Sequence, residues 1–392
     1  MSRIIYADNA ATTRLSRCAL DAMMPFLTAD FGNPSTVYAP GRTAKKAVES
    51  ARFKVAAAIG ARPEEIFFTA GGTESDNWAI KSTAALKKEK GMHIISTAIE
   101  HHAILHTLHS LQKQGYEVTF LGVNQAGNIS LEELRSAIRP DTILITVMAA
   151  NNEIGTILPV KKIGEIAHEA GVLFHSDAVQ AVGHIPIDVS QMNIDLLSLS
   201  GHKFKGPKGI GALYVKKGLR LPSSMHGGAQ ERGLRSGTEN VPGLVGLAAA
   251  LEDAVTHINA NMVKVSAMRD TLIKELLKIP HSRLTGDPVN RLPGTASFVF
   301  ECIEGESMVL LLDQNGICAS SGSACSSGSL DPSHVLLAIG LPHEIAHGSL
   351  RLTINEDNTQ DDIDTILEKM PRIIQRLRDM SPLWEEKNSE VK

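Results

Sequence analysis

The hydrophobic pattern between about residues 50 and 215 alternates short apolar runs with longer segments of helical periodicity. Short apolar runs indicate buried strands, and apolar residues that recur every three to four positions indicate amphipathic helices. This alternation is typical of βαβ units and predicts an α/β fold around a mostly parallel sheet. The runs that we interpret as strands are residues 65–69, 93–97, 142–148, 172–175, 194–199 and 211–215.

A second region follows a long helical stretch that runs from about residue 244 to 277. Residues 296–300 and 349–353 have the apolar character of strands, and residues 361–378 have the periodicity of a closing helix. We therefore predict a smaller α/β domain at the C-terminus, which the first residues of the chain join. The predicted division assigns residues 16–256 to a large domain and residues 1–15 and 257–392 to a small domain.

The composition is typical of a soluble globular protein. Of 392 residues, 43% are apolar and 21% are charged, and the formal net charge is -4. The absence of a long basic run argues against nucleic acid and membrane surfaces as partners. The sequence has no secretory leader pattern and no apolar run long enough to span a bilayer, so we expect a cytoplasmic protein. The cysteines include no C-x-x-C pair, which favours free thiols in a reducing compartment.

Polar residues follow each of the first five predicted strands. In open α/β sheets, ligands bind outside the carboxyl ends of the strands, so these residues are candidate site residues. Gly71, Gly72 and Thr73 precede an apparent helix, where backbone N–H groups, a hydroxyl and the helix dipole suit one phosphate. No phosphate-loop fingerprint is present, and an ordinary strand-to-helix turn explains this stretch equally well when it is taken alone.

Asp177 and Lys203 stand at the ends of two predicted strands. A partly desolvated Asp177 carboxylate needs a cationic partner, and a protonated heteroaromatic nitrogen would serve. Burial and nearby cations could lower the pKa of Lys203 and make it a Schiff-base nucleophile. For either residue alone, a salt bridge or a solvated turn stays open. Pyridoxal phosphate would use both, together with a phosphate seat and a flat group such as His101 against its ring.

With these residues the chain resembles the class V pyridoxal-phosphate enzymes, and within them the NifS-type cysteine desulfurases. The resemblance covers almost the whole chain and rests on the order and spacing of eight segments. It implies the PLP-dependent transferase fold type I, with a mostly parallel central sheet flanked by helices in the large domain. The segments are Tyr6-Ala-Asp-Asn-Ala-Ala-Thr-Thr13 with Gly32-Asn33-Pro-Ser35, Thr69-Ala-Gly-Gly-Thr-Glu74, Ala150-Asn-Asn-Glu-Ile-Gly-Thr156, His175-Ser-Asp-Ala-Val-Gln180, Ser200-Gly-His-Lys203, Leu234-Arg-Ser-Gly-Thr-Glu-Asn240 and Ser320-Ser-Gly-Ser-Ala-Cys-Ser326.

The resemblance implies roles for individual residues around pyridoxal 5'-phosphate. Lys203 would hold the cofactor covalently, and His101 would stack on its ring and take part in catalysis. Asp177 would pair with the pyridine nitrogen, and Gln180 would hydrogen-bond the ring oxygen. The remaining cofactor-binding residues would be Gly72, Thr73, Asn152, Ser200, His202 and Thr238, the last reaching the phosphate of the neighbouring subunit in an obligate homodimer. The substrate carboxylate would be bound by Asn33, Asn152 and Arg351.

Residues 319–330 consist almost entirely of small residues around the thiol of Cys325. Such a segment has little apolar surface to bury, which predicts a mobile loop at the surface or over a cleft. The resemblance implies that Cys325 attacks the sulfur of L-cysteine, leaves L-alanine and carries the sulfur as a persulfide. A flexible tether suits delivery to an acceptor protein such as an iron-sulfur scaffold. We interpret Cys302 and Cys318 as buried small hydrophobes and Cys18 as an ordinary helix residue.

Three alternative functions stay open. The stretch His343-Glu344-Ile-Ala-His347 matches H-E-x-x-H, which on a longer helix would indicate a zinc metallopeptidase. Against that function, Pro342 and Gly348 bracket the stretch and no third ligand follows at a recognised spacing. Selenocysteine lyase activity, in the same family, would use the same cofactor. A non-enzymatic sulfur or scaffold protein would have no use for so complete a set of cofactor residues.

The chain departs from the family pattern at two places. Tyr38 stands where many relatives carry histidine, and residues 352–355 read Leu-Thr-Ile-Asn in place of the more usual Ser-Leu-Gly. These departures leave substrate preference and rate more open than reaction type. His102, His106 and His109 share a predicted helix face, which a solvated or partly buried surface explains.

Overall fold

The computed structural model describes residues 4–322 and 331–390. The strands in this part of the chain are β1 (Ile5–Tyr6), β2 (Ile66–Thr69), β3 (His93–Thr97), β4 (Glu117–Leu121), β5 (Thr142–Thr146), β6 (Leu173–Asp177), β7 (Leu196–Ser200), β8 (Gly211–Val215), β9 (Ser282–Leu284), β10 (Thr295–Phe300), β11 (Ile317–Cys318) and β12 (Ser349–Thr353). Most of these strands follow the apolar runs of the sequence, so local hydrophobic pattern places them.

The helices surround the strands and account for most of the remaining residues. They are α1 (Arg17–Thr28), α2 (Ala39–Ala58), α3 (Gly72–Lys87), α4 (His102–Gln112), α5 (Leu131–Ala137), α6 (Val160–Glu169), α7 (Val241–Thr256), α8 (Ile258–Leu276), α9 (Gly305–Gln314), α10 (His334–Ala338), α11 (His343–Ala346), α12 (Gln360–Asp379) and α13 (Pro382–Glu390). Short 3-10 turns occur at Pro63–Glu65, Gly201–Lys203 and Gln230–Gly233.

The central sheet has seven strands in the order β2, β8, β7, β6, β5, β3 and β4. The five strands from β7 to β4 pair in parallel, whereas β8 runs antiparallel to both of its neighbours. The predicted mostly parallel sheet is therefore confirmed. The sequence pattern missed β4, an edge strand whose residues are mostly half-exposed and so lack a continuous apolar run.

The helical stretch predicted from about residue 244 to 277 is two helices rather than one. The chain bends by 73° between α7 and α8, at His257. The two helices serve different cores: α7 packs against α1 and α2, whereas α8 packs against α12 and β10. Apolar periodicity continues through the bend, so the sequence pattern alone does not reveal it.

Two large hydrophobic cores receive the two helices, α7 the larger core and α8 the second. The larger core covers one face of the seven-stranded sheet. The second core collects Ile5 and Ala7 together with residues from Val265 to Ile374, around the antiparallel sheet β12-β10-β9 and the parallel pair β1-β11. The larger core also includes Leu292, Val299 and Val335 from the predicted small domain, and the domain division stays a prediction.

Among residues 4–322 and 331–390, no single helix is long and apolar enough to cross a membrane. The bent pair of α7 and α8 meets that test by length and composition alone.

Candidate active site

The turn between β2 and α3 forms a cradle at the carboxyl edge of the sheet. Gly71 has a φ of 150°, which favours glycine, and a Cβ at Gly72 would lie 2.6 Å from Val179 Cγ2. Because Gly71 is the N-cap and has no side chain, the first N–H groups of α3 receive no side-chain cap. The groove beside them, of about 1070 Å³, is also lined by Thr73, Ser200 and His202. This arrangement fits a phosphate group.

His202 lies on the far side of that cradle. Its Nδ1 is 3.1 Å from Thr12 Oγ1, and burial, followed by the nearby Lys203 ammonium, lowers the pKa of its imidazole to about 4. His202 is therefore neutral near neutral pH and can act toward a phosphate as a hydrogen-bond donor rather than as a cation.

Lys203 is the last residue of the 3-10 turn that follows β7. The strand itself ends at Ser200, one residue beyond the predicted run of residues 194–199, so Lys203 follows the strand and does not end it. Lys203 Nζ donates hydrogen bonds to Ala10 O at 2.6 Å and to Ala11 O at 3.0 Å. The side chain of Gln180 joins the same carbonyl, with Nε2 3.0 Å from Ala10 O. The amine is thus held at the floor of the cleft by the N-terminal segment.

Asp177 is the last residue of β6 and is 6% exposed. Burial raises the pKa of its carboxyl to about 6, opposed by the hydrogen bond from Val179 N–H and by the Lys203 ammonium. The hydrogen bond from Val179 and the charge of Lys203 do not fully offset the cost of removing this carboxylate from water. A protonated ring nitrogen placed against it would supply the missing positive charge, which is the environment that pyridoxal phosphate requires.

His101 is the N-cap residue of α4. Its Nδ1 accepts a hydrogen bond from Ala103 N–H at 3.1 Å, so the neutral ring carries its proton on Nε2. Burial, and then the Lys203 ammonium, lowers the pKa of His101 to about 4. The N-terminus of α4 therefore presents a neutral imidazole to the cleft.

Arg351 lies in the middle of β12 and is 4% exposed. Its Nη1 donates to Asn152 O at 2.9 Å, and its Nη2 donates to Asp8 Oδ1 at 2.9 Å. Nε is buried and has no hydrogen-bond partner within the described residues. A buried guanidinium whose Nε–H has no partner among the described residues fits a ligand carboxylate.

Three predicted site residues are not joined to this cluster. Asn33 is exposed, and its hydrogen bonds lie within its own turn, to Ser35 and Thr36. Thr238 is exposed on the segment that leads into α7. Cys325 lies outside the described residues. The roles of these three residues stay predictions.

The sequence analysis missed three acidic residues. Asp8 contacts Arg351 directly, and Asp76 and Glu100 are buried carboxyls near Asp177. Burial, followed by the nearby Asp177 carboxylate, raises the pKa of Asp76 well above its ordinary value, and burial raises that of Glu100 to about 8. Asp8 stands within the quoted N-terminal segment and Glu100 directly precedes His101, but neither position signals a contact.

Two interpretations of the cysteines need correction. Cys318 and Cys302 are half-exposed rather than buried, because Cys318 ends the two-stranded sheet and Cys302 lies in a turn with a φ of 67°. Cys18 is exposed on α1, as expected of an ordinary helix residue.

The H-E-x-x-H stretch folds as α11, a helix of four residues with His343 and Glu344 exposed. Within the part of the chain that the structure describes, no three His, Cys, Asp or Glu side chains are grouped to hold a metal ion. In the histidine row on α4, His106 and His109 are exposed and His102 is half-buried, which agrees with a surface face.

Comparison with known proteins agrees with this geometry. The family model for class-V aminotransferases matches residues 5–366. The chain is 57% identical to "Cysteine desulfurase IscS" of Methanosarcina thermophila, over 97% of this chain and 95% of the relative. It is 54% identical to the protein of the same name from Clostridium botulinum, over 100% of both chains.

Solved structures show the same likeness. A "NifS-like protein" superposes with a TM-score of 0.90 at 38% identity, covering 95% of this chain and 100% of the other. "SspA in complex with cysteine" superposes with a TM-score of 0.80 at 39% identity, covering 89% and 98% of the two chains. The fold type expected from the sequence is therefore confirmed.

The chain belongs to the class-V aminotransferase family, whose members use pyridoxal 5'-phosphate. Within that family it belongs with the cysteine desulfurases, as its full-length identity of 49–57% to several of them shows. The residues present fit the cofactor: an uncapped helix N-terminus for its phosphate, a desolvated Asp177 for its ring nitrogen and an amine on Lys203 for its aldehyde.

Proposed function

We propose that this protein converts L-cysteine to L-alanine and passes the sulfur, as a persulfide on Cys325, to an acceptor protein. The observation that carries this proposal is the buried Arg351, whose Nε lacks a partner within the described chain. The chain is also 57% identical to a cysteine desulfurase. An amino acid offers the carboxylate that such a guanidinium binds.

The bound cofactor would withdraw electrons from the Cα and Cβ atoms of the substrate. Lys203 would hold its aldehyde carbon, Asp177 its ring nitrogen and Gln180 its ring oxygen. The phosphate would rest against the N-terminus of α3, where the N-cap Gly71 has no side chain to cap the first N–H groups, which suits an anion. The other residues proposed for the cofactor are Gly72, Thr73, Asn152, Ser200, His202 and, across a homodimer, Thr238.

His101 would lie against the cofactor ring and exchange protons through only one of its two ring nitrogens. Its Nδ1 is committed to Ala103 N–H, and a proton there would break the N-cap of α4. Proton exchange with the substrate therefore takes place at Nε2. The Nζ atom of Lys203 is the second group that can carry a proton.

Arg351 would bind the substrate carboxylate through N–H groups that Asn152 O and Asp8 do not occupy, with Asn152 and Asn33 as further contacts. This binding would fix the Cα–Cβ–Sγ arm of the substrate relative to Lys203 and His101. The orientation matters because the sulfur must face the thiol that removes it.

The thiolate of Cys325 would attack the substrate Sγ. An S–S bond forms as the Cβ–Sγ bond breaks, and the electron pair of that bond stays with the carbon skeleton, which takes up protons and leaves as alanine. Cys325 then carries one additional sulfur, which an acceptor thiol can remove. We propose an iron-sulfur scaffold in the cytoplasm as the acceptor, as the resemblance to the NifS-type desulfurases implies.

The persulfide can be located directly. The purified protein is incubated with L-cysteine without reductant, digested, and its cysteine peptides are weighed by mass spectrometry. We expect the Cys325 peptide to carry one extra sulfur atom, and the Cys325→Ser variant to carry none on any peptide. Extra sulfur on Cys18, Cys302 or Cys318 in that variant would contradict the assignment.

A further inference from the structure

The N-terminal segment from Asp8 to Ala11 joins two groups of the proposed reaction. At one end, Asp8 Oδ1 accepts a hydrogen bond from Arg351 Nη2 at 2.9 Å. At the other end, the carbonyls of Ala10 and Ala11 hold Lys203 Nζ at 2.6 and 3.0 Å. Four consecutive residues thus contact both the substrate-binding guanidinium and the cofactor-binding amine.

This segment is attached to the strand that carries Arg351. Asn9 N–H donates to Thr353 O at 3.1 Å, Thr353 N–H donates to Ala7 O at 2.7 Å, and Ala10 N–H donates to Thr353 Oγ1 at 2.9 Å. Because the backbone on both sides of Asp8 is bonded to β12, its carboxylate has a fixed position relative to Arg351. A contact of this kind orients a side chain more firmly than a free surface ion pair does.

The guanidinium of Arg351 is held at two of its three nitrogens. Asn152 O occupies Nη1, and Asp8 occupies Nη2, while the side chains of Arg351 and Asp8 are 5% and 16% exposed. The plane of the guanidinium is therefore fixed, and its Nε–H, which has no partner among the described residues, has a fixed direction. The Asp8 carboxylate also places a negative charge in direct contact with this buried cation, in addition to the nearby carboxyl of Glu153.

We propose that Asp8 is a positioning residue that aims Arg351 at the substrate carboxylate and neutralises it while the cleft is empty. This inference rests on the proposed function, in which Arg351 binds that carboxylate. It separates two contributions of Asp8. The carboxylate oxygen of Asp8 orients the Arg351 guanidinium, and the negative charge of Asp8 disfavours binding of other anions to Arg351.

Two variants distinguish these contributions. Asp8→Ala removes both the oxygen and the charge, whereas Asp8→Asn keeps an oxygen that accepts from Nη2. We expect Asp8→Ala to raise the KM for L-cysteine about tenfold with kcat within about threefold, and Asp8→Asn to keep KM within about threefold. Spectral titration of the bound cofactor with L-alanine should give the same order of affinities without turnover.

Inhibition by sulfate is a quantity that would not change if the role of Asp8 were merely structural. Both variants lose the negative charge beside Arg351, so the surroundings of Arg351 become more positive by one charge. Sulfate should therefore inhibit both variants at concentrations several-fold lower than it inhibits the wild type. Asp21→Ala, which removes a carboxylate from an exposed ion pair with Arg17, is the matched control and should leave KM and sulfate inhibition unchanged.

Arg351→Ala is measured in the same series. A raised KM in Arg351→Ala, together with wild-type KM and sulfate inhibition in both Asp8 variants, would overturn the inference and leave the proposed function intact. An unaltered KM in Arg351→Ala would instead contradict carboxylate binding by Arg351. If Asp8→Ala fails to bind cofactor, Asp8→Asn still decides the question, because unchanged sulfate inhibition in that variant would refute the charge contribution.

Discussion

Glu100 is expected to make the protein less stable as the pH rises, and Glu100→Gln to remove that effect. The carboxyl is completely buried, accepts a hydrogen bond from Thr97 Oγ1 at 2.7 Å and lies 3.1 Å from Met148 N. Burial raises its pKa from 4.5 to about 8, against the hydrogen bonds from Thr97 and Met148. At neutral pH the folded protein therefore holds a proton that the unfolded chain releases.

The sign and size follow from linkage between folding and proton binding. The stabilisation is fully present below a pH of 4.5 and is lost as the pH rises through about 8. Each pH unit within that window lowers the free energy of unfolding by up to about 1.4 kcal/mol, so the change from about pH 5 to about pH 8 is about 3 to 4 kcal/mol. For a chain of this size, that corresponds to roughly 4 °C in Tm.

The assay compares thermal unfolding of the wild type and Glu100→Gln at several pH values between about 5 and 8. The other groups titrate in both proteins, so the difference in Tm isolates Glu100. Between the lowest and the highest pH, we expect the Tm of Glu100→Gln to rise by roughly 4 °C relative to the Tm of the wild type. Glu132→Gln, on the exposed start of α5, should run parallel to the wild type. Parallel curves for Glu100→Gln would refute the reasoning.

Three further substitutions test the site and its supports. Lys203→Ala should abolish the visible absorption of covalently held cofactor; an unchanged spectrum would assign the anchor to a neighbouring lysine. Asp177→Asn should keep Tm within a few degrees but lower kcat by about 100-fold or more, because the ring nitrogen loses its counter-charge; wild-type turnover would reject that role. Arg52→Met should lower the free energy of unfolding by about 3 to 5 kcal/mol, since it leaves Glu231 buried without its bidentate partner, and a denaturant midpoint equal to that of the wild type would contradict this.

Local pattern explains the parts of the fold that the sequence predicts well. The strands at residues 93–97 and 211–215 coincide with β3 and β8, in which every residue is buried. The same local pattern also predicts the site residues at strand ends, such as Asp177 at the end of β6. Where a strand is buried on both faces, hydrophobicity alone specifies it.

Features that depend on distant contacts escape this kind of prediction. Asp8 and Arg351 are separated by 343 positions, and only the pairing of the N-terminal segment with β12 brings them together. The antiparallel direction of β8 is set by the pairing with β2 and β7, not by its own residues. The bend at His257 reflects the allocation of α7 and α8 to different cores.

The central claim, that this protein is a desulfurase that acts through Cys325, is tested most directly by alanine formation. Purified wild type and Cys325→Ala are loaded with cofactor and supplied with L-cysteine under reducing conditions, and free alanine is measured over time. The account predicts steady alanine formation by the wild type and almost none by the variant. Equal alanine from both proteins, or none from the cofactor-loaded wild type, would contradict it.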